Sequence, residues 1–312
     1  MATAVVEPSI FQTEIQRPES STQTRTLTTG QDVRLACRTN TIALPTSGLA
    51  PGYLQANLIV LPSRYASDFR LLCARNPVPC PLIAESAAPG SYDRLRSHIP
   101  GAPAVAADLD LRRDAPAYMV YRGGKLIKSH APDVEAEWTR DHVAFLVGCS
   151  FSFESALAAA GLPARHAVMG RNVPVYRTAV PLCPAGVFAG GAYVVSMRPY
   201  PASCVDRVRE VTRRYGATHG EPIAWGWDAV RRLGIQSIDQ TQWGDAPLML
   251  DGRPLGQAFG SDEEVPVFWG CGVTPQEAVM RAGAAIEGTV MAHAPGYMLV
   301  VDSKDEDVVQ DE

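Results

Sequence analysis

Apolar residues in this chain come in short runs broken by glycine, proline and small polar residues. Leu58–Leu61, Leu82–Ala84, Tyr118–Tyr121, His142–Val147, Val173–Thr178, Ala192–Met197, Val265–Trp269 and Tyr297–Val301 have the length and composition of buried strands. Gly123-Gly124, set between Tyr118–Tyr121 and Lys125–Lys128, predicts a hairpin turn. Helical spacing falls elsewhere: over Gly30–Thr39, from Ser63 as a cap through Leu72, from near Pro132 through Trp138, along the FESALAAAG segment closed by Gly161, over Ser203–Tyr215, and after Cys271. In the last of these Thr274 is the expected cap and Pro275 stands in the first turn. Prolines 77, 79 and 81 exclude helix between Arg75 and Leu82. Residues 1–25 and 303–312 are polar without periodicity and are expected to be loose tails. Strands and helices alternate without an internal repeat, which predicts an α/β or mixed α+β fold with mixed sheets. No clean linker interrupts residues 26–302, and a boundary near residue 130 is only weakly marked.

Composition narrows the classes. With 312 residues, the chain can bury roughly 75% of its unfolded surface, so its core needs neither disulfide nor metal. A net charge of −5 argues against a general nucleic-acid binder, which needs a basic stripe to neutralise phosphates. No apolar run is long enough to span a membrane. Seven cysteines without zinc spacing or a CxxC read as free thiols in a reducing compartment. The first residues lack the basic start and apolar centre of a secretory signal, so a cytoplasmic protein is expected; the Ser/Thr/Gln-rich stretch from Thr13 to Arg25 keeps a mitochondrial address open.

Chemistry concentrates at strand ends. GCSFSFE turns out of a strand through Gly148 into a helix start; the outward amides suit an anion, the same field is expected to lower the pKa of Cys149, Ser150 supplies a hydroxyl, and Glu154 could serve as acid or base. VVSMRP ends a strand with Ser196 and Arg198, whose guanidinium could fork onto a substrate carboxylate or form a structural salt bridge. His219, in the THGEP loop, suits proton transfer near neutral pH. Cys271 lies between Gly270 and Gly272, where backbone can approach a ligand closely. Asn57, Arg75 and Asn76 stand in proline-bounded segments and could line a polar pocket or satisfy loop backbone. His293 precedes a Pro-Gly turn; Arg177 and Thr274 complete the candidate substrate contacts. There is no GxGxxG at a strand–helix junction, no P-loop and no HExxH. No cofactor is expected, and divalent-metal dependence stays open because Asp245, Asp251, Glu263 and Glu264 could gather around a hard ion or simply face solvent.

In order along the chain stand APGYLQANLIVLP, DF, RNPVPCPL, DLRRDAPAYMVY, FLVGCSFSFE, RNVPVYRT, VVSMRP, THGEP, VPVFWGCGVTPQ and HAPGYMLVVD. This series resembles the hydro-lyase family also called D-glutamate cyclase-like, and it covers roughly residues 30 to 302. The resemblance implies a mixed α/β fold of two intertwined subdomains and a lyase that removes water, the best-known suggestion being cyclisation of D-glutamate to 5-oxo-D-proline. Under that reading Arg198 would clamp an anion, the amides after Gly148 would hold an oxyanion, and His219 or Glu154 would protonate the departing oxygen.

Several positions depart from the family pattern. Glu221 and Ala224 stand in the loop where a small residue and a histidine are usual, Gly226-Trp227-Asp228 replaces a Gly-Asp-Pro turn, and Val78, Val175 and Tyr297 replace lysine, methionine and histidine. Polar groups are lost and Trp225 and Trp227 are gained, which reads either as a pocket altered toward a bulkier, less charged substrate or as neutral drift in distant loops; with a larger substrate the aromatic 225–243 stretch would face the pocket. The leading expectation is an enzyme acting on a small carboxylic or amino acid. A dehydratase or cyclase of a specialised pathway and a non-catalytic metabolite binder are the alternatives. Convergence of Cys149, Glu154 and Arg198 in one cleft with perturbed pKa values separates enzyme from binder. A homo-oligomer is expected, with no nucleic-acid or membrane partner.

Overall fold

The computed structural model describes residues 27–101 and 105–309; the expected tail over 1–25 lies outside them. In chain order the strands are β1 (Tyr53–Pro62), β2 (Leu82–Ser86), β3 (Leu95–Ser97), β4 (Tyr118–Arg122), β5 (Lys125–Ala131), β6 (His142–Gly148), β7 (Val175–Pro181), β8 (Ala192–Tyr200), β9 (Ala224–Trp225), β10 (Val265–Gly270), β11 (Thr289–His293) and β12 (Leu299–Lys304). The helices are α1 (Gly30–Arg38), α2 (Ala66–Arg75), α3 (Glu154–Ala159), α4 (Arg165–Val168), α5 (Val205–Arg213), α6 (Trp227–Arg232) and α7 (Val273–Ala282).

Two sheets result, and the fold is mixed α/β as expected. The larger runs β3-β2-β6-β1-β11-β4-β5, with β12 also paired to β1; the smaller runs β7-β8-β10-β9. The pairings are antiparallel, and the long central one sets Asn57 opposite Val147 and Ala56 opposite Gly148. Because side chains alternate along a strand, β1 and β6 feed two cores. Ile59, Leu61, Val143, Phe145 and Val147 face α2 and α7, packing with Phe69, Leu72 and Val279. Leu58, Val60, Ala144 and Leu146 face the opposite way, under the connection that carries Leu109, Leu111 and Val134. A strand buried on both faces reads as an unbroken apolar run, which is why β1 and β6 stood out in the sequence.

The smaller sheet is likewise covered on both sides. Tyr176, Val195, Met197 and Phe268 pack on Ala229, Val230 and Leu233 of and beside α6. Val267 and Trp269 pack on Phe153 and Leu157 at α3 and on Val205 and Val208 of α5. Helix α3 therefore leaves the end of a strand in the first sheet and lies on the second.

The helix expected from near Pro132 is a single turn. Its backbone is drawn into tertiary bonds instead: Val134 N–H donates to the Arg112 carbonyl (2.9 Å) and the Trp138 indole donates to the Gly90 carbonyl (3.0 Å). Ser63 does not cap α2; it opens a short 3-10 turn and its hydroxyl reaches Asp141. The tail expected from residue 303 is ordered through 309, where β12 runs on to Lys304 and residues 305–308 form a 3-10 turn with Asp305 buried. Strand β11 had no sequence signal of its own. No described helix is long and apolar enough to cross a membrane.

Candidate functional site

The site begins where β6 ends. A Cβ on Gly148 would sit 2.0 Å from the Ala217 carbonyl oxygen, so only glycine lets this strand end pass the Gly216–Thr218 turn. The chain then runs extended through Cys149, makes a 3-10 turn over Ser150–Phe153 and enters α3 at Glu154. From the second sheet, Ser196 and Arg198 lie two residues apart on β8 and so share a face. Their cross-strand partners on β10 are Trp269 and Val267.

These two segments meet. Arg198 is fully buried; its Nε donates to Glu154 Oε1 (2.8 Å), Nη2 reaches the same carboxylate and Ser150 Oγ (3.1 Å), and Nη1 donates to Ser196 Oγ (3.1 Å). The guanidinium also lies against the packed Phe153 and Trp269 rings, at 5.1 and 5.3 Å from their centroids, which are themselves 5.5 Å apart. A buried cation survives only when paired and hydrogen-bonded, and here the carboxylate, two hydroxyls and two ring faces supply that. Burial pushes the Glu154 carboxyl up, but Arg198 and the neighbouring His166 outweigh it, and its pKa lies below the ordinary value. Glu154 is thus an ionised counter-ion, unsuited to proton donation near neutrality. The Arg198 fork is taken by Glu154 and is not open to a substrate carboxylate unless Glu154 moves.

His166 gave no signal in the sequence. It comes from the four-residue helix α4, is buried, places Nε2 3.3 Å from Glu154 Oε1 and stacks on Phe151. Nothing in its local sequence announces this, because the contact exists only once α4 folds back on α3.

The two Gly-Cys turns end β6 and β10. The expected lowering of the Cys149 pKa is reversed: burial pushes it up to about 12, and burial pushes Cys271 up to about 11. The helix start after Cys149 is a 3-10 turn followed by a six-residue helix, so little dipole opposes desolvation. Both thiols are neutral near pH 7 and can donate a proton but are poor nucleophiles.

Two residues knit these turns together. His219, in the left-handed region at φ 83°, is buried, and its Nδ1 donates to the Val78 carbonyl (2.8 Å) while Nε2 has no hydrogen-bond partner. A Cβ on Gly270 would come within 3.3 Å of that Nδ1. Burial lowers the His219 pKa to about 4, against the pull of the Val78 and Gly148 carbonyls, so the ring is neutral and Nε2 carries a free lone pair. Asn57, on β1, donates to the Gly148 carbonyl (3.1 Å), and a Cβ on Gly272 would lie 1.9 Å from its Nδ2. Asn57 Oδ1 is 3.1 Å from Nε2 of His293, whose Nδ1 donates to the Ala294 carbonyl (2.7 Å). Burial lowers the pKa of His293 to about 4 as well.

The remaining candidates fall elsewhere. Arg75 is exposed at the end of α2, outside the cluster. Asn76 is buried and structural: its amide bonds the Leu72 carbonyl and both backbone groups of Cys183 (2.8–2.9 Å). Thr274 does not cap α7; its hydroxyl accepts from Val194 N–H (3.0 Å) and donates to Val194 O (3.1 Å), pinning α7 to β8. Arg177 pairs with Glu277 (2.7 Å) and covers the Trp243 ring. Trp225 is exposed under Arg209, and Trp227 packs on Phe259; Trp243 of the aromatic stretch lines a cavity. Among the described residues no three His, Cys, Asp or Glu are grouped to hold a metal. Asp251 pairs with Arg253, Glu264 with Arg165, and Asp245 accepts from Asn172 N–H.

A family model described as D-glutamate cyclase matches residues 143–302, a span that holds Cys149, Glu154, Arg198, His219 and Cys271. A Schizosaccharomyces pombe protein named "Putative hydro-lyase C5H10.01" is 37% identical across 97% of this chain and 98% of its own length. A "Putative hydro-lyase" of Azorhizobium caulinodans is 43% identical across 89% of this chain and 92% of its own, and one of Rubrobacter xylanophilus is 45% identical across 84% and 90%.

Proposed function

Since the chain belongs to the D-glutamate cyclase family, whose members named above are called hydro-lyases, we propose that it removes water from a small carboxylic or amino acid at the meeting point of its two sheets. The observation that carries this reading is the convergence of Glu154, Ser150, Ser196 and Arg198 beside two neutral thiols. A protein that merely binds a metabolite has no need of a buried ion pair, an unpartnered imidazole nitrogen and two protonated thiols in one neighbourhood.

For D-glutamate the reaction joins the amino nitrogen to the side-chain carboxyl carbon and breaks one carbon–oxygen bond, giving 5-oxo-D-proline and water. The ammonium must give up two protons, one before attack and one as the lactam forms, and the departing oxygen must gain two to leave as water. In this reading His219 Nε2 takes the first nitrogen proton and passes it on to the departing oxygen, while Cys271, half-buried at the second turn, gives that oxygen its other proton and is re-protonated from the nitrogen as the lactam forms. Arg198, its fork taken by Glu154, contributes with that carboxylate a fixed ion-pair dipole beside the thiols rather than a free clamp. Ser150 and Ser196 keep that dipole oriented.

The test is turnover by purified protein, with and without EDTA, of D- and L-glutamate beside a panel of hydroxy and amino acids, read by mass spectrometry as loss of one water. Conversion of any of them, abolished in His219→Ala, supports the reading. No conversion of any acid removes it and leaves a binding role.

A further inference from the structure

The cavity that opens beside this site lies between the first sheet and α7, with about 440 Å³ of atom-free space including its mouth. It touches the site through His293, one of its walls, which meets Asn57 and through it the Gly148 carbonyl and the Gly272 backbone. Its walls also include Met119, Val273, Met280, Trp243 and the ring of Tyr121, and no lysine or arginine lines it. The acidic wall residue Glu277 is held by Arg177 (2.7 Å) and Arg281 (3.2 Å).

One polar group in it is unused. Gln276 projects from α7, and its Nε2 is closed off from solvent without a hydrogen-bond partner. A buried donor left unpaired is costly, and such a group in a pocket marks where a ligand acceptor belongs. Arg177 and Arg281 are spent on Glu277 and no cation lines the cavity, so a second carboxylate buried there would have no counter-ion to offset its desolvation.

We infer that this cavity receives the body of the substrate, and that the substrate is a monoacid with an uncharged, mainly aliphatic body bearing a neutral acceptor oxygen that takes the hydrogen bond from Gln276. The inference rests on the proposed reading in one respect, that cavity and thiol turns serve the same molecule. Selection follows from desolvation: the aliphatic body gains from burial against Met119, Val273 and Met280, whereas the side-chain carboxylate of glutamate would find the Gln276 N–H but no cation in the lining to pair its charge.

Binding measured without turnover tests it. The probes are 4-methylpentanamide, 4-methyl-2-oxopentanoate and D-glutamate, titrated by calorimetry and by tryptophan emission, with Trp243→Phe identifying the emission that reports the cavity. We expect the two neutral-bodied probes to bind and shift Trp243 emission, and D-glutamate to leave it unchanged. Gln276→Leu, close in volume, weakens both probes about three- to tenfold, the loss of one hydrogen bond. Val273→Trp fills the cavity and removes binding; its melting curve checks that it folds, and Gln276→Leu stands alone if it does not. The inference is overturned if neither neutral probe binds, if Gln276→Leu binds them as tightly as the parent, or if D-glutamate shifts Trp243 emission equally. Water loss from D-glutamate without binding of the neutral probes would sustain the proposed reaction and sink this assignment. Binding of the probes without any turnover would do the reverse.

Discussion

Individual side chains set the chemistry, and their neighbours decide their charge. Cys149 and Cys271 are desolvated thiols raised to about 12 and 11, whereas Cys183 is exposed. We therefore expect iodoacetamide at pH 8 to modify Cys183 first and to leave Cys149 unlabelled in the folded protein, as peptide mapping would show; rapid labelling of Cys149 would mean that the thiolate is accessible after all. The pair Glu154–Arg198 yields a sharper expectation. Glu154→Gln strands a fully buried cation, and the removal of one partner of a buried pair typically costs about 3–5 kcal/mol. Denaturant titration should show a loss of that order, larger than that of Glu154→Gln combined with Arg198→Met, which removes both charges; equal losses would show that the pair is not coupled. The residue types at these positions were legible in the sequence. Their protonation was not, because whether a strand-end thiol is lowered by amides or raised by burial depends on atoms hundreds of residues away.

Elements carry the site by close approaches that need glycine and by backbone bonds made at a distance. Gly148→Ala would drive a methyl into the Ala217 carbonyl, a backbone group that cannot step aside. We expect this variant to separate β6 from the Gly216–Thr218 turn and to lower stability by several kcal/mol, as overpacking and lost burial combine; an unchanged melting temperature would contradict the packing described. Thr274→Val keeps the shape of α7 but breaks both bonds to Val194, for a loss of about 1–3 kcal/mol. At this scale local pattern carries the type of an element but not its partner. The long apolar runs of β1, β6, β8 and β10 and the Gly123-Gly124 hairpin followed from local pattern. Strand β11 did not, since TVMAH is short and becomes a strand only by lying between β1 and β4. The Thr274 hydroxyl, read as a cap by its position, is captured by a strand eighty residues away, and the Pro132 segment surrenders its helix to Arg112 and Gly90.

At the scale of the whole molecule, buried titratable groups oppose one another. Burial raises Asp305 from 3.8 to about 6, while Ser155 donates to it at 3.3 Å. A raised carboxyl favours folding fully below 3.8, and that contribution is lost as pH rises through about 6. His219 and His293 run the other way: lowered from 6.5 to about 4, they favour folding above 6.5 and lose that contribution as pH falls toward 4. Asp305→Asn should accordingly be more stable than the parent at pH 7–8, by on the order of 2–3 kcal/mol, and should converge with it below pH 4. Its stability should fall more steeply between pH 6.5 and 4, where the parent's Asp305 partly offsets the two histidines. Thermal melts across that range decide the matter; a constant difference at all pH values would remove the assignment to ionisation.

The central strand of the larger sheet has one more consequence, and it concerns synthesis rather than the finished protein. Strand β1 gains β6 on one side early, but its other edge waits for β11 and β12, with Val60 paired to Met291 and Ala56 to Leu299. At about 5–20 residues per second, a growing chain would present that apolar, unpaired edge for roughly 10–50 s before its partners leave the ribosome. An exposed strand edge invites pairing with other chains. Nascent copies stalled before residue 289 should therefore engage chaperones or aggregate, while a chain released only after residue 304 can close its own sheet.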